Sequence, residues 1–233
     1  MPDTGRGIAL IVGAGAGLSA SLARQFAAED YRVVLAARST DKLDDLCEEI
    51  GAVSFSCDAS NAEDIETLYD AIDGLPGNLN AVVFNAGYRT RGPLLELDPG
   101  EVEQTLAVSA YGGFLVAQQA AKRMVPRGAG AILFTGASAS VKGYPGSAPF
   151  AMAKFALRGL AQSMARELAP KGVHVAHFVI DGGIRSGRRP ADPEKPDALL
   201  DPDAIAASYL HVVNQPRSAW TWEVELRPWV ETF

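Results

Sequence analysis

The stretch Gly7 to Ser19, GIALIVGAGAGLS, decides the fold. Ile8 to Val12 is an unbroken apolar run of strand length, which reads as a strand buried on both faces. It stops at Gly13, and glycines then alternate with Ala14 and Ala16 as far as Gly17. From Leu18 to Glu29 the apolar residues Leu18, Leu22 and Phe26 recur at helical spacing. Strand, glycine turn and helix together present free backbone N–H groups and a helix N-terminus to a phosphate. Gly13 makes the turn, Gly15 lets a pyrophosphate approach and Gly17 opens the helix, with Ala16 and Leu18 in the same cradle. The G-x-G-x-x-G form is incomplete, because Leu18 stands where its last glycine would be. A plain strand-to-helix turn needs the same residues, so the surrounding chain has to decide.

Outward from this stretch, strand and helix patterns alternate. Tyr31–Ala36 is a second buried strand, Asp41–Ile50 a helix and Val53–Cys57 a third strand closing on Asp58. Ser60 and Glu63 have the spacing of a capping box for a helix through Ile72. Ala81–Phe84 is a fourth strand, followed by Asn85, Ala86 and Gly87. Asp98, Pro99 and Glu101 open a long helix to about Val125, by cap, first-turn proline and acid. Ala131–Thr135 is a fifth strand, Phe150–Leu168 a second long helix and Val173–Ile180 a sixth strand. Asp201 and Pro202 cap a last helix to about Val213, and Thr221–Leu226 is a seventh strand. The βα alternation predicts an α/β fold: one doubly wound (Rossmann) domain over residues 1–233, with a seven-stranded parallel sheet flanked by helices. Residues 182–200, rich in Pro, Asp and Arg, lie past the carboxyl end of the sixth strand and are the expected substrate lid.

Composition narrows the function classes. A 233-residue chain with 48% hydrophobic residues can bury one large core. The formal net charge of −7 argues against nucleic acid or an anionic membrane as partner. The two cysteines, Cys47 and Cys57, have no metal-ligand spacing, so no metal is expected and two reduced thiols in a cytoplasmic protein are. His174 and His177 sit on opposite faces of the sixth strand and read as structural. Small residues on the two long helices, among them Ala117, Ala120, Ala153 and Gly159, suit close approach between subunits.

Taken together, these stretches resemble the short-chain dehydrogenase/reductase family over essentially the whole chain. Val12-Gly13-x-x-x-Gly17-x-Ser19 is similar to that family's T-G-x-x-x-G-x-G turn, with Val and Ser replacing its first and last members. Asp58 falls where the family's Asp holds the adenine amino group, with Ala59 beside it, and Phe84-Asn85-Ala86-Gly87 resembles its N-N-A-G. Asp181-Gly182-x-x-x-Ser186 resembles its P-G-x-x-x-T, which implies nucleotide contacts from Gly182, Ile184 and Ser186. The resemblance also implies a homodimer or homotetramer. Cofactor choice follows from chemistry: NAD-preferring sites place an acid after the second strand, and here Ala37 is followed by Arg38, which can pair with a 2′-phosphate. NADP(H) is therefore favoured over NAD(H), although the glycine turn holds no second basic residue.

The catalytic positions depart from the family's pattern. Its Tyr-x-x-x-Lys is Phe150-Ala-Met-Ala-Lys154 here, its serine place is Ala137 with Ser138 beside it, and its asparagine place is Ser109. Lys154 is expected to hold the nicotinamide ribose. Phe150 has no proton to give, so Ser138 and Tyr144 are the leading replacements, with Tyr88 and Tyr111 behind them. The expected activity is NADP(H)-dependent oxidation or reduction of a small carbonyl, alcohol or imine with an atypical proton donor. The alternatives are a nucleotide-binding sensor or scaffold without turnover, and lyase or isomerase chemistry on the same fold.

Overall fold

The structure, a computed structural model, describes residues 5–231. Seven strands, β1 (Ile8–Val12), β2 (Arg32–Ala37), β3 (Val53–Ser56), β4 (Leu79–Phe84), β5 (Ala131–Thr135), β6 (His174–Ile180) and β7 (Glu223–Leu226), form one sheet. Their order is β3-β2-β1-β4-β5-β6-β7, and every pairing is parallel. The chain runs outward from β1 to β3 and then returns to the other side of β1 as β4, so the topological switch lies between β1 and β4. Ligand crevices of such sheets open there, beyond the carboxyl ends.

Period-two alternation along each strand builds two cores, one on each face. On one face Leu10, Val12, Val34 and Phe84 pack beneath α3 (Ala62–Asp73), α5 (Gly112–Met124) and α6 (Ala148–Leu168). On the other Ala9, Ile11, Val33 and Phe178 pack beneath α1 (Leu18–Ala28), α2 (Asp44–Ile50) and α7 (Pro202–Val213). β1 and β5 are buried along their full length, which is why an unbroken apolar run, and no alternating one, marks them.

Several expected boundaries shift. Asn61, and not Ser60, caps α3: its side chain accepts from the N–H groups of Glu63 and Asp64. The Ser60 hydroxyl donates instead to Asp58 Oδ1 at 2.6 Å. Asp41–Leu43 is a single tight turn ahead of α2. α6 starts two residues early, at Ala148, because Pro149 fits a first-turn position where no N–H is needed. The helix expected from Asp98 to Val125 is not one α-helix: α4 (Pro99–Leu106) passes through a π-helical segment, Ala107–Tyr111, into α5.

Candidate active site

The glycine turn is held by backbone hydrogen bonds to the neighbouring strands and by Ser19. Gly13 and Ala14 both donate their N–H to the Ala36 carbonyl, and Asn85 N–H donates to the Val12 carbonyl at 2.8 Å. Ser19, buried, donates its hydroxyl to the Gly13 carbonyl at 2.9 Å and accepts from the Asn85 side-chain amide at 2.7 Å. Ser19 thus braces the turn with a hydrogen bond that a glycine there cannot make. Gly13 has φ +87°, and a Cβ on it would lie 2.3 Å from the Ala86 nitrogen, so only glycine fits. Gly15 and Gly17 differ: added Cβ atoms there would meet nothing within 4 Å. Gly17 caps α1 without a side-chain hydrogen bond, and the helix's first turn carries no acid. The turn, with Ala16 and Leu18 in it, therefore opens an uncompensated positive helix end to space a pyrophosphate can fill.

A cleft of about 570 Å³ runs from this turn across the switch point. Gly13, Arg38, Asp58, Ala59, Asn85, Ala86 and Gly87 line it, as the sequence leads one to expect. Lys42 lines it too, a residue that no motif in the sequence singles out. The tight turn at Asp41–Leu43 carries Lys42 back to the cleft beside Arg38; its signal is a basic residue four positions on, in a segment with helix-start character. Asp58 accepts both the N–H and the hydroxyl of Ser60, and these bonds hold its carboxyl below the usual range, assisted by Arg38. It stays ionised at neutral pH and can accept a hydrogen bond from a base amino group.

Lys154 is buried on α6 and donates to the Thr135 carbonyl, at the end of β5, at 2.7 Å. Burial alone pushes its pKa down to about 8. Its Nζ lies 5.7 Å from the centre of the Phe150 ring, one helical turn earlier. The same ring takes part in a second contact, with the Arg89 guanidinium 4.7 Å from the ring centre. Phe150, Ser138 and Tyr144 line a second cavity, of about 460 Å³, which Gly182 and Gly183 also border. Ser138 is half-buried and Tyr144 exposed, so both expected proton donors face one space.

Other expected residues lie elsewhere. Ser109 is fully buried, in the π segment, and its hydroxyl both accepts from the Tyr88 N–H at 2.9 Å and donates to the Tyr88 carbonyl at 3.2 Å. Its hydrogen bonds are spent on fastening the loop after β4, and it does not line the second cavity. The Tyr88 phenol donates to Glu101 at 2.8 Å, and that carboxylate raises its pKa, which makes it a poorer acid. Tyr111 stacks on Phe114 at the surface. Ile184 pairs with Leu200 and Ser186 with Arg189, so the 182–200 segment folds back on itself, and Arg185 pairs with Asp201. Two of the three histidines are packed into the fold: His174 stacks on Trp220 at 4.6 Å, and buried His177 hydrogen-bonds the Glu223 carboxylate at 3.1 Å. Among the described residues no group of His, Cys, Asp and Glu is placed to hold a metal ion, and no helix is long and apolar enough to cross a membrane.

Residues 7–192 match the family described as short chain dehydrogenase. The chain belongs to the short-chain dehydrogenase family. A curated member, "Short chain aldehyde dehydrogenase 1" of Euphorbia lathyris, is 29% identical over 220 residues, covering 89% of this chain and 76% of that protein. The crystal structure of a short-chain dehydrogenase from Rhodopseudomonas palustris is 37% identical, with a TM-score of 0.83 over 95% of this chain and 98% of that one. An alcohol dehydrogenase from the archaeon Thermococcus sibiricus, complexed with 5-hydroxy-NADP, is 26% identical, with a TM-score of 0.86 over 97% and 98%. The fold, the dinucleotide cleft and membership among the short-chain oxidoreductases therefore stand together.

Proposed function

We propose that the protein is an NADP(H)-dependent short-chain oxidoreductase of a small carbonyl, alcohol or imine substrate, working with an atypical proton donor. The observation that carries the cofactor preference is the pair Arg38 and Lys42 at the edge of the cleft beyond β2, where Ala37 leaves no acid. Two cations there suit a 2′-phosphate, and a missing carboxylate removes the repulsion it would meet. The complex of the Thermococcus sibiricus relative points the same way.

The residues present fit the nucleotide. The cradle of Gly13, Gly15, Ala16, Gly17 and Leu18 would take the pyrophosphate, and Asp58 with Ala59 the adenine. Asn85, Ala86 and Gly87 would flank the riboses, Lys154 would hold the nicotinamide ribose, and Gly182, Ile184 and Ser186 would close over the amide. When bound, the nicotinamide supplies or accepts the hydride. The chain's own part is to orient a substrate in the second cavity and to manage one proton. Ser138 donates a hydrogen bond to the substrate oxygen, and Tyr144 delivers or takes the proton. Lys154, positive at neutral pH and held against the Thr135 carbonyl, favours the charge that develops nearby. The absence of a phenol at Phe150 forgoes about 10²- to 10⁴-fold in rate, or about 3–5 kcal/mol of barrier, unless another acid acts.

The 182–200 segment would act as the lid, and the protein would work in the cytoplasm as a homodimer or homotetramer. The exposed apolar side chains of Tyr111, Phe114, Met152 and Phe155, on the π segment, α5 and α6, support an assembly surface. The second reading, a nucleotide sensor without turnover, is favoured by Ala137 and Phe150 together, which remove two proton-handling groups. Calorimetric titration with NADPH, NADP⁺ and NADH, followed by NADPH oxidation over a panel of aldehydes, ketones and imines, separates them. Both readings require uptake of NADPH, and only the first requires its oxidation.

A further inference from the structure

We infer that the second cavity binds an oxyanion, so that the substrate carries a carboxylate or phosphate at a distance from its reacting carbonyl. That the anion belongs to a substrate rests on the proposed reductase activity; the anion site itself does not.

Three arginines, Arg89, Arg91 and Arg189, line this cavity of about 460 Å³. Two come from the loop after β4 and one from the 182–200 segment. On the loop after β4, Tyr88 and Thr90 turn to one side, where both hydroxyls hydrogen-bond Glu101 Oε2, at 2.8 and 3.0 Å. Ser109 grips the backbone of Tyr88. Arg89 and Arg91, which alternate with Tyr88 and Thr90 along the loop, line the cavity. Arg89 then rests on the Phe150 ring. Arg189 comes from the 182–200 segment, where two reciprocal backbone hydrogen bonds with Ser186, each 2.9 Å, fix a tight turn. Its guanidinium lies against Gly183, so closely that a Cβ there would be 2.5 Å from Nη1.

The charge balance favours an incoming anion. The chain as a whole carries −7. Two carboxylates line the cavity, Asp181 and Glu231. Asp181 is held by Lys142 at 3.2 Å and by Arg227 at 3.1 Å. That leaves Glu231 alone against three guanidinium groups, and among the described residues no carboxylate lies within ion-pair distance of Arg89, Arg91 or Arg189. Guanidinium groups converging on one concave space in an acidic protein suit a planar, bidentate oxyanion. A lone surface arginine is well solvated; three facing one space repel each other until an anion joins them.

The test uses 4-carboxybenzaldehyde, 4-formylphenyl phosphate and the neutral methyl 4-formylbenzoate with the intact protein and NADPH, and terephthalate as a non-reacting anion. The charged aldehydes should exceed the ester in kcat/KM by 10-fold or more, and the better of the two tells carboxylate from phosphate. Arg91→Gln and Arg189→Gln should each cut that charged-to-neutral ratio several-fold, and Arg166→Gln, on the exposed side of α6, should leave it alone. Raised salt should shrink the ratio. Calorimetry should show terephthalate binding, with and without NADP⁺, that Arg91→Gln and Arg189→Gln weaken about 10-fold. Equal turnover of ester and acids overturns the anion site and leaves the reductase intact. NADPH uptake without oxidation of any aldehyde, but with arginine-dependent terephthalate binding, overturns the reductase and keeps the anion site. Terephthalate binding that ignores both substitutions, or is absent, overturns the anion site.

Discussion

Replacing Lys154 by methionine should make the free protein more stable at neutral pH while impairing the site. Lys154 is 5% exposed, and burial takes its pKa from 10.5 to about 8. At about 1.36 kcal/mol per unit, holding the ammonium inside costs about 3 kcal/mol at pH 7. Methionine removes that cost, fills similar space and gives up the hydrogen bond to the Thr135 carbonyl, for a loss of about 1 kcal/mol. The net gain is about 2 kcal/mol, or about 4–8 °C in Tm for a chain of this size. The sign with pH follows from proton binding. Between pH 8 and 10.5 the unfolded chain holds the lysine proton and the folded one does not, so wild-type stability rises with pH through that window. Below about 8 the full cost is present, and above 10.5 it is gone. Urea unfolding of Lys154→Met and wild type, without nucleotide, at half-unit steps from pH 7 to 10.5 measures the difference directly, with all other groups cancelling. The advantage of the variant should shrink steadily and vanish or reverse by about pH 10.5. A constant difference, or one that grows with pH, refutes the claim that this amine is ionised and unfavourably buried.

Four further outcomes are expected. Gly13→Ala, forced to φ +87° with its Cβ 2.3 Å from the Ala86 nitrogen, should lose more than about 3 kcal/mol of stability and all measurable nucleotide affinity; a normal unfolding midpoint counts against the steric argument. Arg38→Ala with Lys42→Ala should weaken NADPH binding by about 10- to 100-fold and leave NADH nearly unaffected, by calorimetry; equal loss for both sinks the 2′-phosphate assignment. His177, held neutral with a pKa pushed down to about 4 by burial, must gain a proton on acid unfolding, so stability is lost as pH falls from 6.5 toward 4. His177→Gln should flatten that part of the curve, as followed by urea midpoints. With Tyr144 already delivering the proton, Phe150→Tyr should change carbonyl reduction by less than about 10-fold; a gain of about 10²- to 10⁴-fold shows that the donor was missing and counts against Tyr144.

How much of this was legible depended on how local the cause was. β1 and β5 fall on Ile8–Val12 and Ala131–Thr135 as the apolar runs imply, because a strand covered on both faces writes burial continuously into its residues. Gly13 and Asp58 line the cleft because they stand just beyond the carboxyl ends of β1 and β3, ends that the sequence marks; the roles given to them come from the family resemblance. The π segment was not: an extra residue accommodated between two helical phases leaves no mark in residue type. Lys42 and the pair Arg89 and Arg91 were hidden because their directions depend on partners elsewhere, the tight turn at Asp41 and the Glu101 carboxylate. Ser109 shows the reverse case, a hydroxyl in the expected place whose hydrogen bonds go to a neighbouring backbone.

The π segment between α4 and α5 couples two surfaces that would otherwise be out of phase. Upstream, the hydroxyls of Tyr88 and Thr90 need Glu101 on one side of the rod. Downstream, Gly112 and Gly113 must point inward, since added Cβ atoms would meet the Ala59 carbonyl oxygen at 2.6 Å and Leu157 at 2.5 Å. One residue advances a helix by about 100°. Deleting a single residue between Ala107 and Ala110 would restore regular winding and turn Glu101 away from its loop, or swing side chains into the seam against α6. The small irregularity is thus a phase shifter, and it ties the loop that carries two cavity arginines to the winding of the helix beside it.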